Sequence, residues 1–542
     1  MRIWNVMLLA AGLALQTGCR SGENRVEKVD DKDVLVRCHF VGGAQLSNNT
    51  NAAKLKEIWN YPETRRLVTQ TLQRLAHSPK KLFPAAIDAG QDERGAAQLQ
   101  PLLKDLLGEE SFIQVRGAAD PPAEWTLMAH LAGGRSKAWR TALSELDQVW
   151  KLGRIETNTV AGISCLEVKR SGNPGLIRWT DTGDWFVLGV GQDAVPAFDD
   201  AVRRIKSVGR PVEVASNSWF EIELNLPRLA RLLEITPSVG WPAVWFSAVG
   251  RGDSLRVNGR LNFNEPTTGV LDPWRVPTNL IHDPLISFTA ARGMAPLLQR
   301  CQLLNQLGIA PVPNQFFVWA QSQIPFQTFW AWPSSNAMSS LPRVAERAPV
   351  LLGTNWQQRG LAQISWYPTN EMVFWKGLPI VTPYLKPWTN GIGDYITGGL
   401  FPAMPGSNPP PVELLSQLSA RTNLVYYDWE ITQGRLAQWH VMSQTMSVIA
   451  TRPQLATNSN SLQWELKVAP SLGNTITEIV ADSPTQWSLT RKSHLGLTGC
   501  EIVALTRWLE SKDFPKPGFD LPGQPPPIHP KPAAPAAPTK PK

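Results

Sequence analysis

Two segments of the chain share a pattern in which an alternating strand runs directly into a helix. Residues 219–232 read WFEIELNLPRLARL, and residues 426–439 read YYDWEITQGRLAQW. Aligned without gaps, the segments are identical at four positions, and aromatic, acidic and aliphatic classes match at several others. A repeat of about 200 residues is too long for a solenoid and predicts two similar domains. The pattern fits an ancient duplication; the alternative is a chance similarity between two amphipathic strand-to-helix junctions.

The rest of the sequence mixes the periodicities of helices and strands. Residues 34–41 and 255–263 alternate as half-buried strands do, whereas Ser136–Leu152 places apolar residues at helical spacing. Residues 160–169 and 176–190 are also predicted strands. Because single helices interrupt runs of strands without regular βαβ alternation, we predict an α+β fold, with two similar units of antiparallel sheet and packed helices.

Changes in composition divide the chain into segments. A polar, turn-rich stretch separates the two predicted units, and Pro, Ala and Lys dominate the C-terminal end. The predicted segments are a signal peptide (1–18), a charged tether (19–33), a first α+β unit (34–264), a linker (265–283), a second α+β unit (284–514) and a disordered tail (515–542).

The overall composition excludes several classes of protein. Hydrophobic residues make up 43% of the chain and charged residues 18%, so it can bury large cores and is not globally disordered. We find no apolar run of the length that spans a bilayer, which excludes a polytopic membrane protein. The net charge of +8 is small for 542 residues, so nucleic acid is not an expected partner.

The N-terminus has the composition of an export signal. Arg2 precedes a ten-residue apolar run, Val6–Leu15, which is too short to span a bilayer but has the length of a signal-peptide core. Small residues and then Cys19 follow. These residues resemble a bacterial lipoprotein signal with an atypical lipobox, in which Gln16 replaces an aliphatic residue. The resemblance covers residues 1–19 only and implies that Cys19 becomes the lipidated first residue of the mature chain.

Such a signal implies a location in the cell envelope, with the protein anchored on the periplasmic or outer side of a membrane; the alternative is secretion. The next segment, Arg20–Asp33, contains nine charged residues and no apolar periodicity, so we expect it to act as a tether. An exported protein can form disulfides, but four cysteines allow three pairings, and buried free thiols are the alternative. The four are Cys38, Cys165, Cys301 and Cys500.

Each of the two repeated segments carries a pair of acids that are weak candidates for catalysis. They are Asp428 and Glu430 in the second segment, and Glu221 and Glu223 in the first. Residues two apart on a strand point to the same face, roughly 6–7 Å apart. Carboxylates separated by about 5–9.5 Å are the geometry of glycoside hydrolysis. The alternative is that the acids face solvent and pair with Arg228 and Arg435, at the start of the predicted helices.

Other motifs give little information about chemistry. The seven histidines show no zinc-binding spacing, and we find no phosphate-binding loop or nucleophile elbow, so we predict no metal and no cofactor. The 23 Trp residues are scattered along the chain. Trp330 and Trp332 would share a strand face, where they could stack on a sugar, contact lipid or fill the core.

Three functions fit these observations. The leading hypothesis is a non-catalytic, lipid-anchored envelope protein with a binding or scaffold role. Its expected partners are the membrane and a cell-envelope protein or polymer; nothing indicates an oligomeric state. The first alternative is an envelope polysaccharide hydrolase that uses a carboxylate pair, and the second is a carrier of an apolar ligand. The surroundings of the acids and the presence of a deep cavity distinguish these functions.

Overall fold

The computed structural model describes most of the chain between residues 34 and 516. The predicted signal peptide and tether, Cys19, Cys301 and the tail from residue 517 lie outside the described residues. The described ranges are 34–82, 87–117, 123–169, 175–213, 217–232, 240–267, 271–300, 302–322, 327–390, 393–402, 408–449 and 458–516.

Twenty strands form within these ranges. They are β1 (Val34–Phe40), β2 (Ser111–Arg116), β3 (Glu124–His130), β4 (Arg154–Val160), β5 (Ile163–Lys169), β6 (Leu176–Thr182), β7 (Trp185–Gly191), β8 (Phe220–Asn225), β9 (Ala243–Arg251), β10 (Ser254–Asn262), β11 (Leu285–Arg292), β12 (Gln315–Gln321), β13 (Thr328–Pro333), β14 (Gln363–Tyr367), β15 (Met372–Lys376), β16 (Tyr384–Asn390), β17 (Gly393–Gly399), β18 (Leu424–Ile431), β19 (Asn474–Ser483) and β20 (Gln486–Ser493).

Sixteen α-helices lie among the described residues. They are α1 (Gly43–Asn48), α2 (Ala53–Asn60), α3 (Pro62–Ala76), α4 (Ser78–Leu82), α5 (Ala89–Gly108), α6 (Arg135–Trp150), α7 (Pro196–Val208), α8 (Leu226–Leu232), α9 (Ala295–Gln299), α10 (Gln302–Leu307), α11 (Ala337–Leu352), α12 (Thr354–Gln358), α13 (Val412–Ser419), α14 (Thr432–Ile449), α15 (Asn460–Val468) and α16 (Gly499–Glu510). Helices and antiparallel strands together confirm the predicted α+β class.

All twenty strands belong to one antiparallel sheet in which the first and last ten strands have the same order. Read from each outer edge inward, the first ten run 4-5-6-7-3-2-1-8-9-10 and the last ten run 14-15-16-17-13-12-11-18-19-20. The two sets meet where β10 pairs with β20 over Leu255–Asn262 and Gln486–Ser493. We call β1–β10 the first repeat and β11–β20 the second repeat.

Two sequence predictions differ from the strands observed. The predicted strand at 176–190 is a hairpin, because Gly183, with a φ of +58°, turns the chain between β6 and β7. The predicted strand at 160–169 corresponds to β5. The strand β4 before it is not predicted, because its mostly polar sequence, RIETNTV, lies at an exposed edge of the sheet and does not alternate.

A layer of helices from both repeats covers the join between them. Helices α2 and α3 of the first repeat share one apolar core with α14, α15 and α16 of the second. In this layer Trp464 Nε1 donates a hydrogen bond of 2.9 Å to Thr64 Oγ1. The repeats are therefore held together by a continuous sheet and by a common helical core.

The cross-strand register shows which residues share a face at the join. Directly opposed residues point to the same face of a sheet. Val257 in β10 opposes Arg491 in β20 across the join. Two strands further out on each side, the same row of opposed residues reaches Phe220 in β8 and Asp428 in β18. Phe220 and Asp428 therefore lie on one face, which we call the inner face because α2 and α14 cover it. Glu221 lies on the opposite face.

We expect the join to contribute strongly to stability. Leu255 lies in β10 and is 1% exposed, so its replacement by Ala should lower the free energy of unfolding by about 2–5 kcal/mol. Leu303 is 52% exposed, and Leu303→Ala should change it by less than about 0.5 kcal/mol. Urea unfolding followed by Trp fluorescence measures both. Equal transition midpoints for the two variants would contradict the packing described at the join.

Candidate functional site

The acids of the second repeat are buried on the inner face of the sheet. Asp428 is 9% exposed and Glu430 is 4% exposed, and both lie in β18 beneath the start of α14 and the N-terminus of α16. The expectation that acids on this strand face solvent is therefore wrong for this pair. The strand continues directly into α14, whose first turn helps to exclude water from the carboxyl groups.

Each carboxyl group already has a hydrogen-bond donor within the protein. Thr289 Oγ1 donates to Asp428 Oδ1 over 2.6 Å, from the neighbouring strand β11. The backbone N–H of Gly499, the first residue of α16, donates to Glu430 Oε1 over 2.7 Å. A carboxylate at a helix N-terminus is also favoured by the helix dipole. These two contacts offset part of the cost of burying the acids.

Burial shifts the titration of both acids. It raises the pKa of Glu430 to about 7, with a further contribution from the nearby Asp428 charge, and the Gly499 N–H opposes this shift. Burial also raises the pKa of Asp428, against the opposing effects of the Thr289 hydrogen bond and of Arg491 and Arg435. The pair can therefore hold a proton close to neutral pH.

A buried arginine lies close to the acids. Arg435, in the first turn of α14, is 7% exposed, and burial lowers its pKa, against the effects of Glu430 and Asp428. Its Nη1 donates to Gln438 Oε1 over 2.7 Å. Gln438 in turn donates to the backbone carbonyl of Gln321 over 3.1 Å. The arginine predicted to pair with the acids at the surface is instead part of a buried polar network.

The N-terminus of α16 is fixed over the pair by two further contacts. Glu501 forms a capping box with Thr498, and its carboxylate accepts hydrogen bonds of 2.8 and 3.0 Å from Arg491 in β20. A Cβ atom at Gly499 would lie 2.7 Å from the backbone nitrogen of Leu436 in α14. Only glycine therefore allows α14 and α16 to meet closely enough to enclose the acids.

The inner face is polar in the second repeat and apolar in the first. Beside β18, the inner-face positions of β11 and β19 carry hydroxyl side chains, namely Ser287, Thr289, Thr475 and Thr477. The corresponding strands of the first repeat present Cys38, Ile222, Leu224, Phe246 and Ala248 to the same face. When β8 and β18 are aligned at their C-terminal residues, Asp428 corresponds to Ile222 and Glu430 corresponds to Leu224. The fold itself does not require acids there.

The acids of the first repeat are not part of this site. Glu221 and Glu223 lie on the outer face of β8, only partly buried, and Glu223 forms an ion pair of 3.2 Å with Arg37. The gapless alignment of the two segments matches them to Asp428 and Glu430, yet the two pairs lie on opposite faces. A shift of one residue moves every side chain of a strand to the other face, so the sequence match is out of register with the sheet.

The described cavities lie away from the acid pair. One apolar cavity of about 10 Å³ is lined by residues of the first repeat, including Phe40, Leu46 and Trp219. An open depression of about 430 Å³ on the surface is lined by residues of α3, including Arg65 and Arg66, and by Asn460. A polymer could reach Asp428 and Glu430 only if α14 and α16 moved apart.

Other predicted features can also be placed. Cys38 and Cys165 are buried free thiols, and Cys500 is an exposed free thiol. Trp330 and Trp332 pack into a core beneath α11.

Over the described ranges, no group of three or more His, Cys, Asp or Glu side chains is arranged to hold a metal ion. None of the helices within those ranges has the length and apolar character needed to cross a membrane.

Sequence reasoning identified the acids but missed the residues that enclose them. Thr289, Gly499, Arg491 and Glu501 come from three separate parts of the chain and have no local signature that links them to β18. One signal was present: the spacing of Thr498 and Glu501 before an apolar run is that of a capping box, which predicts the start of a helix.

Comparison with known proteins does not identify the chain. No family model matches the sequence. No curated protein matches it either. A solved structure of the prenyltransferase PriB in its apo form is 14% identical and aligns over 64% of this chain and 98% of that chain, with a TM-score of 0.12. A likeness at this TM-score carries no argument about fold or function.

The buried glutamate should make stability depend on pH. Because the pKa of Glu430 is about 7 in the folded protein and near 4.5 in the unfolded chain, its stabilising contribution is complete below about pH 4.5 and is lost as the pH rises through 7. Glu430→Gln keeps an acceptor for the Gly499 N–H but carries no charge. We expect this variant to exceed the wild type in free energy of unfolding by up to about 3 kcal/mol near pH 8, and to resemble it near pH 5.

A matched control comes from the first repeat. Glu223→Gln removes an acid from β8 that is 36% exposed. It should therefore change the free energy of unfolding by much the same amount at about pH 5 and at about pH 8, unlike Glu430→Gln. Urea unfolding of all three proteins at both pH values gives these differences. A Glu430→Gln protein that is less stable than the wild type near pH 8 would show that the carboxylate stabilises the fold in its charged form.

Proposed function

We propose that the protein is a lipid-anchored cell-envelope protein with a binding or scaffold role, and that it is not an enzyme. In this proposal Cys19 carries the lipid, residues 20–33 form a tether, and the two-repeat body is held on the periplasmic or outer side of a membrane. Its partners would be the membrane and a cell-envelope protein or polymer.

This proposal rests on the burial and hydrogen bonding of the acid pair. Asp428 and Glu430 are two residues apart on one strand face, but they lie beneath α14 and α16. One oxygen of Asp428 already accepts a hydrogen bond from Thr289, and one oxygen of Glu430 accepts one from Gly499. A hydrolytic acid pair needs a substrate and a water molecule between or beside its carboxyl groups. A buried, hydrogen-bonded network is instead suited to holding two helices on a sheet.

The architecture supports the same role. A sheet of twenty strands is continuous through both repeats, and the cores packed against it are filled by apolar side chains. Such a body offers extended surfaces and two sheet edges for contacts with other molecules. The described cavities give no support to the alternative of an apolar-ligand carrier.

One observation keeps the polysaccharide hydrolase as a second candidate. A pKa of about 7 at Glu430 suits a general acid that acts near neutral pH. This function requires α14 and α16 to separate so that a sugar polymer can reach the carboxyl groups.

Genetic complementation distinguishes the two candidates. In cells that lack the protein, any defect that the wild-type gene corrects should also be corrected by an Asp428→Asn, Glu430→Gln double variant, because the proposed role does not use acid chemistry. Cys19→Ala should fail to correct it, because the protein loses its proposed covalent lipid anchor. Equal protein levels, checked by immunoblot, make the comparison valid.

Two results would contradict the proposal. Loss of complementation by the double variant at a normal protein level would favour the hydrolase. The anchor is tested separately by growing cells with radiolabelled palmitate, which should label the wild type and not Cys19→Ala. Equal labelling of the two proteins would exclude Cys19 as the lipidated residue.

A further inference from the structure

An exposed apolar loop connects β15 and β16 near the outer edge of the second repeat. At its tip Ile380 is 63% exposed and has a φ of +73°. A β-branched residue rarely adopts this left-handed conformation, which costs energy and is found most often at functional sites. Leu378 and Pro379 precede it and are partly buried, so three consecutive residues are apolar and Ile380 is the exposed one.

The base of this loop is tightly fixed. Gly377 has a φ of +87°, and a Cβ atom there would lie 2.2 Å from the carbonyl oxygen of Gly360. The indole of Trp375 donates to the carbonyl of Leu361, and the N–H of Thr382 donates to the carbonyl of Leu400 over 2.9 Å. The backbone at the base of the loop is therefore held by two hydrogen bonds and a close approach to Gly360, and Ile380 lies beyond it in solvent.

Aromatic and cationic side chains surround the base. Trp356 and Trp375 are half-buried, with ring centroids 6.1 Å apart. Lys376 is exposed and lies over the ring of Tyr367, 4.6 Å from its centroid, and Arg359 is also exposed. Indole and phenol rings beside cations are typical of surfaces that contact the interface of a lipid bilayer.

The charged residues that flank this loop in the sequence are mostly basic. Between residues 347 and 411 the sequence contains four basic residues, Arg347, Arg359, Lys376 and Lys386, and two acidic residues, Glu371 and Asp394. Both acids lie at the far ends of the strands: Glu371 is in the turn before β15, and Asp394 is near the start of β17. Five to seven residues of strand span roughly 17–23 Å, so neither of these two acids lies at the loop end of its strand.

The fold does not require an apolar loop here. In the first repeat, the connection between the corresponding strands β5 and β6 has the polar sequence RSGNPG at residues 170–175. The apolar tip is thus a property of the second repeat alone.

We propose that the tip, Leu378–Ile380, inserts into the interface of an anionic lipid bilayer, with Trp356 and Trp375 at the headgroup level and with Lys376 and Arg359 on the anionic headgroups. Burial of an apolar tip together with electrostatic attraction is the mode by which interfacial segments bind membranes. This contact does not require acylation of Cys19, so it stands separately from the proposed anchor.

Photocrosslinking in the full chain tests this contact. A photoreactive phenylalanine analogue is placed at Ile380 or, as the control, at Val208, which is 65% exposed at the end of α7 in the first repeat. Each protein is mixed with vesicles of phosphatidylcholine that contain a minority of phosphatidylglycerol and a radiolabelled lipid. Any other membrane attachment of the chain acts equally on both variants, so only the position of the probe differs.

We expect the Ile380 probe to form lipid adducts at least about fivefold more often than the Val208 probe. Adding Arg359→Gln and Lys376→Gln to the Ile380 probe variant, or using phosphatidylcholine alone, should reduce these adducts. Equal lipid adducts at both positions, or an adduct at Ile380 to protein and not to lipid, would overturn the proposal. Ile380 is exposed, so the probe should leave the fold intact, and its urea unfolding midpoint checks this point.

Discussion

The antiparallel pairing of β10 with β20 is the interaction on which the rest of the structure depends. Each repeat ends its own strand order at this edge, and an unpaired sheet edge would expose backbone hydrogen-bonding groups over eight residues. Pairing the two edges satisfies these groups and places the helices of both repeats over one surface. The common core of α2, α3, α14, α15 and α16 is possible only because the join brings them together.

The two repeats hold helices on the inner face of the sheet with chemically different side chains. On the inner face the first repeat is apolar, with residues such as Ile222 and Leu224, and its helices pack there as in any core. In the second repeat Asp428 and Glu430 stand at those positions, and the N-terminus of α16 is aimed at them. Helix N-termini leave backbone N–H groups without partners, and a buried carboxylate satisfies one of them. Two copies of one sheet therefore use different means to hold helices on the same face.

Much of the fold could be predicted from the sequence, but the environment of the acids could not. The strand β1, the strand β8 and the strand-to-helix transition from β18 into α14 follow from local periodicity. The burial of Glu430 depends on Gly499, which is 69 residues away, and on a helix that no local pattern places over β18. Periodicity shows which residues alternate on a strand; it does not show what covers each face.

The register of the two repeats illustrates the same limit. A short strand that alternates acids with apolar residues matches a similar strand well in sequence, even when the two are out of phase by one residue. The sheet decides which alignment is correct, because its hydrogen bonds give each residue a fixed cross-strand partner. These partners place Phe220, Val257 and Asp428 in one row on the same face. Glu221 is thereby placed on the outer face and Asp428 beneath α14. An evolutionary comparison of the repeats should therefore begin from strand order and facing, in which Ile222 corresponds to Asp428, and only then ask which substitutions introduced the acids.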